Sequence, residues 1–245
     1  MKKIHSGIKI LSAISLLSFF SLLLSSCNNS KPSGSEMNGD QTVQSDTGQW
    51  QELFNGKDLT GWKHVGPGGD TVINGQIKTH GGMGLLYWTG GKVGNCQIKV
   101  VFHMRDTADN SGVFIRIPEE PKEEWMPVNK GYEVQIDNHP ELSKEDEYHR
   151  TGCLYSLTKP LAIAGKPGPE TNTMLITIAG PRTIVEVNGQ KVTDYMEGDP
   201  VPERKFDFEP LRGPRPESGY FGLQNHSDND VVFFENVEMR SLPQK

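Results

Sequence analysis

The run Tyr132-Glu133-Val134-Gln135-Ile136-Asp137 sets hydrogen-bonding side chains at every second position. In an extended strand alternate side chains share a face, so Glu133, Gln135 and Asp137 project together, opposite Tyr132, Val134 and Ile136. Two carboxylates and an amide in a row can bind and polarise hydroxyl groups, and Asn138-His139-Pro140 adds an imidazole where the row runs into a long charged loop. Such a row resembles a sugar-binding sheet face more than a solubilised edge. Over residues 112–117 the same alternation groups Arg116 with Gly112 and Phe114, against Val113, Ile115 and Ile117, so Arg116 is expected on a polar outer surface. For Lys99 and Arg105, outside the stripe Ile98, Val100, Phe102 and Met104, an ordinary solvated face is the expectation.

Spacing limits the chemistry. Glu133 and Asp137 are four residues apart, ~13 Å between Cα atoms on a regular strand, against the ~5–5.5 Å between carboxyls of a retaining glycosidase. Gln135 between them is neutral and cannot be a nucleophile. This spacing argues against an ordinary glycoside hydrolase of glucanase-like fold, which is the competing enzyme reading. Asp137, His139 and His149 are near one another in sequence, but no His-x-x-x-His or paired-cysteine spacing occurs, so a divalent metal stays unassigned and no cofactor is predicted.

The elements that must position these groups read as strands. Apolar residues alternate, Gly and Pro punctuate, and Asn74-Gly75 and Asn188-Gly189 sit between strand-like flanks as hairpin turns. Further strands are expected over residues 96–105, 112–117, 132–137, 152–157, 174–179, 219–224 and 231–239, with rim loops over 119–130, 138–150 and 196–216. No long helix interrupts them, which predicts an all-β jelly-roll sandwich of two antiparallel sheets as one domain over residues 49–243.

The N-terminal 26 residues carry Lys2, Lys3 and Lys9, no acid, and an apolar run over 10–24, which reads as an export signal. Cys27 directly after Leu24-Ser25-Ser26 reads as the lipidated cysteine of a bacterial lipoprotein, and residues 27–48, rich in Asn, Ser and Gly, read as a tether. The chain is then expected at the cell envelope, facing the periplasm or the cell surface, with the lipid as its sole membrane attachment. The whole chain carries a net charge of −6, and setting aside the three leader lysines leaves the remainder more acidic, which argues against a nucleic-acid partner. Cys96 and Cys153 are expected as two buried thiols.

Five ordered motifs carry a resemblance: the run from Trp50 to Trp62 containing Leu53-Phe54-Asn55-Gly56, Asn110-Ser111-Gly112-Val113-Phe114-Ile115-Arg116, Gly131-Tyr132-Glu133-Val134-Gln135-Ile136-Asp137, Gly152-Cys153-Leu154-Tyr155 and Gly222-Leu223-Gln224-Asn225-His226. Together they resemble the bacterial domain family associated with 3-keto-glycoside 1,2-lyase and 3-keto-2-hydroxyglucal hydratase activity, formerly called 3-keto-disaccharide hydrolase. The match runs from about Trp50 to Leu242. Cys153 replaces a usually alanine-like position, and the loop over 138–150 is longer and more charged than the family pattern.

The resemblance implies a concanavalin-like, lectin/glucanase-type jelly roll and an oxidised sugar, a 3-keto-glucoside or disaccharide, as substrate. A ketone at C3 acidifies the C2 proton, so a base can remove it while the group on C1 departs; such a reaction needs a base, an enolate stabiliser and an acid. On that reading Glu133, Asp137 and His139 are catalytic candidates, with His149 and His226 as further bases, and Arg116 offers a fixed charge for the oxyanion. Gln135, Tyr155, Gln224 and His226 are expected to bind substrate. Trp125 is the indole expected to stack on it, whereas Trp62 and Trp88 are expected in the core. A non-catalytic carbohydrate-binding lipoprotein using the same face is the other alternative.

Overall fold

The computed structural model describes residues 48–143 and 146–243. The expected signal, Cys27 and the tether up to residue 47 lie outside the described residues. The strands are β1 (Gln51–Glu52), β2 (Trp62–Val65), β3 (Gly69–Ile73), β4 (Gln76–His80), β5 (Gly84–Trp88), β6 (Cys96–Met104), β7 (Ser111–Ile117), β8 (Tyr132–Ile136), β9 (Asn172–Ala179), β10 (Arg182–Val187), β11 (Gln190–Met196), β12 (Tyr220–Asn225) and β13 (Val232–Ser241), with one short helix, α1 (Trp125–Lys130). Both Asn-Gly pairs close two-residue hairpins: Asn74 and Gly75 have φ of 52° and 79°, and Asn188 and Gly189 of 49° and 79°, the doubly positive geometry that matches strand twist.

All pairings are antiparallel and form two sheets. One has the order β11-β10-β9-β6-β13-β4-β3, with β1 beside β13 as an eighth strand; the other is five-stranded, β2-β5-β12-β7-β8. The core lies between them. Ile98, Val100, Phe102 and Met104 of β6 meet Val113 and Ile115 of β7 and Tyr132, Val134 and Ile136 of β8, as alternation requires. Lys99 and His103 point out of this core and pair with Glu238 and Glu235, and Arg105, just past β6, pairs with Asp109. Cys96 and Cys153 are buried free thiols, and burial pushes both up to about 12, so they stay neutral and inert.

A second, smaller apolar layer covers the outer face of the five-stranded sheet, where Met126 and Val128 of α1 pack on Leu85, Tyr87, Phe114 and Ile117. Ile117 therefore faces opposite to the expected direction, and the cause is a bulge. The β7–β12 register slips between Tyr220 and Gly222, and Arg116 adopts φ 56°. One residue is inserted into the alternation, so Arg116 follows Ile115 inward and Ile117 turns outward.

The expected strand over 152–157 is also corrected. Residues 151–155 run along the free edge of β8 and bond to it, with Thr151 N–H to Asp137 O at 2.8 Å, Gly152 N–H to Gln135 O at 2.9 Å and Tyr155 N–H to Glu133 O at 2.9 Å. Gly152 at φ 90° and Ser156 at φ 62° bend the segment, leaving a single bridge, Val134 with Leu154. Gly152 is needed there because a Cβ would lie 2.8 Å from Val187 Cγ2. The strap shields an edge that would otherwise present unpaired backbone, and it fixes the strand that carries Glu133 and Gln135.

Candidate active site

The outer face of the five-stranded sheet holds a cleft of about 270 Å³. Its polar lining is Asn110, Glu133, Gln135, Tyr155, Gln224 and His226; its apolar lining is Met83, Trp125, Val128 and Phe208. Three adjacent strands supply the floor. Glu133 and Gln135 alternate with the core residues of β8, Gln224 comes from β12, and β7 between them presents Gly112 opposite Gln135 and Phe114 opposite Glu133.

Gly112 makes the floor possible. A Cβ on it would lie 2.5 Å from Glu133 Oε1 and 2.7 Å from Glu133 Cγ, so the carboxylate occupies the space that a side chain would take. We therefore expect Gly112→Ala to displace the Glu133 carboxylate from the cleft floor while the sheets stay folded, and to lower about tenfold or more any turnover that needs this carboxylate, since a ~1 Å misplacement can cost ~10²-fold. Circular dichroism beside an activity assay checks this; unchanged turnover in the folded variant would contradict it.

The amides are fixed on one side and open on the other. Gln135 Nε2 donates to Asn110 Oδ1 at 3.0 Å, while Gln135 Oε1 and Gln224 Oε1, both buried, have no protein partner. Buried acceptors in this state favour a ligand that brings hydroxyl donors. Asn110 is held in turn by its backbone N–H to Asp230 Oδ1 at 3.0 Å.

Asp230 also organises His226. Its Oδ2 lies 2.7 Å from His226 Nδ1, so the proton belongs on Nδ1 and the neutral ring carries its basic lone pair on Nε2. Burial is the largest influence on Asp230 and would raise its pKa, yet the hydrogen bonds from His226 and Ser227 outweigh it and hold the carboxyl below the ordinary range. An ionised aspartate orienting a histidine at a cleft wall is the arrangement of a general base.

The expected site residues thus separate. Glu133, Gln135, Tyr155, Gln224, His226 and Trp125 come together at the cleft, Trp125 as the first residue of α1. Tyr155 is packed edge-on against His149, 4.8 Å between ring centroids. Asp137 is not part of the lining; it is buried at the end of β8 and accepts from His139 N–H at 2.8 Å. His139 lies outside as well, with Nδ1 2.9 Å from Glu141, which Arg150 also contacts at 2.9 Å. Among the described residues no group of three His, Cys, Asp or Glu is arranged to hold a metal.

Arg116 is the largest correction. Fully buried between the sheets, it donates from Nε to Thr183 Oγ1 at 3.2 Å, from Nη1 to Pro216 O at 2.9 Å, and from Nη2 to Gly180 O at 2.7 Å and Arg182 O at 3.3 Å. Burial lowers its pKa, with Glu197 and Tyr132 opposing, and the guanidinium stays charged as a clamp between the sheets. Asn110, Met83, Val128, Phe208 and the orienting Asp230 were given no role by sequence reasoning. The spacing His226-x-x-x-Asp230 and the two phenylalanines in the expected 196–216 rim loop were the signals available for the last two.

A family profile described as the 3-keto-alpha-glucoside-1,2-lyase-like domain matches residues 49–240. The chain belongs to this family. Solved structures agree with that membership in fold. A candidate glycosyl hydrolase from Parabacteroides distasonis ATCC 8503 is 26% identical, with a TM-score of 0.65 over 79% of this chain and 94% of its own. A second from the same organism is 22% identical, with a TM-score of 0.64 over 80% and 100%. A Bacillus subtilis protein with a galectin-like fold, 10% identical, superposes with a TM-score of 0.55 over 82% and 99%. No curated protein matches the chain significantly. The fold is therefore the expected lectin-type jelly roll of two antiparallel sheets, and family and neighbours support a carbohydrate-active enzyme.

Proposed function

We propose that this domain cleaves 3-keto-glycosides by eliminating the group on C1, with His226 as base and Glu133 as acid. The observation that carries the reading is the placement of a carboxylate-oriented histidine and a buried glutamate in one cleft whose floor is a set of amides. His226 Nε2 takes the C2 proton made acidic by the C3 ketone; the electron pair forms the C1–C2 double bond; the C1–O bond breaks; and Glu133 supplies the proton that the leaving alcohol acquires. The products are a 2-hydroxy-3-ketoglucal and the alcohol, and addition of water across the new double bond completes net hydrolysis. Donors from Asn110, Gln135 and Tyr155 serve the developing enolate oxygen, the task that sequence reasoning gave to Arg116.

The two roles differ in their dependence on the leaving group. Glu133→Gln should lower turnover strongly when the departing alcohol is alkyl and weakly when it is 4-nitrophenol, which departs without protonation. His226→Ala should lower both equally. Steady-state assays of the two variants on methyl and 4-nitrophenyl 3-keto-glucosides check the assignment, and equal losses in Glu133→Gln for both substrates would remove the acid role from Glu133.

A further inference from the structure

The segment between β11 and β12 that brings Phe208 to the cleft contains no helix or strand, so no ladder holds it. Its anchor is the next residue. Glu209 is buried, and its carboxylate accepts from Lys205 N–H at 2.9 Å and from Arg212 Nη2 at 3.0 Å. Arg212 also donates from Nε to Pro202 O and from Nη1 to Pro210 O, each at 2.8 Å, so one fork gathers both ends of residues 202–210. The same Nη2 reaches Ser156 Oγ at 2.9 Å, and Ser156 directly follows Tyr155, the cleft residue of the strap along β8. One largely buried ion pair therefore meets the chain beside Phe208 and again beside Tyr155.

We infer that Arg212 and Glu209 are positioning residues of the cleft, which hold Phe208 and Tyr155 in one fixed relation although neither of the pair lines the cleft itself. The inference needs the cleft to bind a sugar, and it does not depend on which bond is broken there. The geometry calls for arginine. A lysine would keep a positive charge opposite Glu209, but a single ammonium cannot reach Pro202 O, Pro210 O and Ser156 Oγ together. A second link joins the same two parts of the chain: Lys205 Nζ lies 2.9 Å from Asp146 Oδ2, and Asp146 Oδ1 lies 3.1 Å from Nδ1 of His149, the ring packed on Tyr155. With 54% and 42% of its side chains exposed, the Lys205–Asp146 pair contributes little.

Two amides report on the two sides of the pair: Glu209 N–H, bonded to Phe206 O at 3.1 Å, and Ser156 N–H, bonded to Tyr148 O at 3.0 Å. In Arg212→Lys we expect hydrogen exchange at both to quicken together by about tenfold while the amides of β8 and β12 are unchanged, and affinity for methyl glucoside, measured by calorimetry, to fall about five- to tenfold. Lys205→Met should change neither. A pair that only stabilised the fold would lower the melting temperature, speed exchange throughout the domain and leave the affinity of the folded protein as it was. Should Arg212→Lys not fold, Glu209→Gln, which keeps the shape and removes the charge, should show the same pattern to a smaller degree. Faster exchange at one of the two amides alone, or unchanged affinity in the folded variant, would overturn the inference. A wild type that binds methyl glucoside but does not turn over methyl 3-keto-glucoside would remove the elimination reading and leave the positioning role standing, and a wild type that binds neither would overturn both.

Discussion

Replacing His226 by alanine should lower turnover of a 3-keto-glucoside by about 10²- to 10⁴-fold, the usual contribution of a positioned general base. The fold should not notice. His226 has 44% of its side chain exposed and makes its defining contact with Asp230, which keeps Asn110 N–H and Ser227 Oγ as partners when the imidazole is gone. The effect should therefore sit in kcat, with the melting temperature within a few degrees of the wild type. Asp230→Asn should give a smaller loss, because the ring remains but its tautomer and orientation are no longer imposed. Steady-state kinetics beside thermal unfolding separate these outcomes, and a His226→Ala enzyme within threefold of wild type would remove the histidine from the chemistry.

Arg116→Met should do the opposite and damage the fold. The guanidinium donates to Pro216 O, Gly180 O and Arg182 O in the interior, and it joins the β7 bulge to the β9–β10 hairpin of the facing sheet. Removing one partner of a buried, hydrogen-bonded charge costs about 3–5 kcal/mol, and each orphaned carbonyl adds to it. For a domain of this size that corresponds to roughly 6–20 °C in melting temperature. Arg116→Lys keeps the charge but loses the fork that reaches several carbonyls, so it should fall between the two. Should Arg116→Met not fold, the lysine variant gives the same reading on a smaller scale. Native stability together with a large kinetic loss would return Arg116 to the active site.

The contrast between these two residues shows where sequence reasoning reaches and where it stops. β8 was legible because apolar and polar residues alternate strictly, and a regular strand must then bury Tyr132, Val134 and Ile136 and expose Glu133 and Gln135 to the other side. β7 was not, because one bulged residue at positive φ reverses every later side chain, and nothing in Val113-Phe114-Ile115-Arg116-Ile117 marks it. An arginine in left-handed backbone is uncommon, and here the register slip against β12 demands it. The strap over 151–155 read as a strand because it does pair with β8, but its bend at Gly152 is set against Val187 and Val192, and the one at Ser156 is tied to Tyr148 O and to Arg212, far along the chain. Asp137 missed the cleft, since β8 ends at Ile136 and the Asp137 carboxylate accepts from His139 N–H just beyond it. Asn110, Phe208 and Asp230 arrive from three separate loops, and only the fold brings the first two to one cleft and Asp230 to His226.

Elimination requires that bond cleavage begin at C2. The direct measurement is proton NMR of the wild-type enzyme with methyl 3-keto-glucoside in deuterated buffer, run beside an enzyme-free control. Under elimination the C2 proton signal disappears in step with methanol release, a vinylic C1 proton of the 2-hydroxy-3-ketoglucal appears, and any hydrated sugar carries deuterium at C2. Release of methanol with the C2 proton retained would mean attack at the anomeric carbon and would rule out elimination.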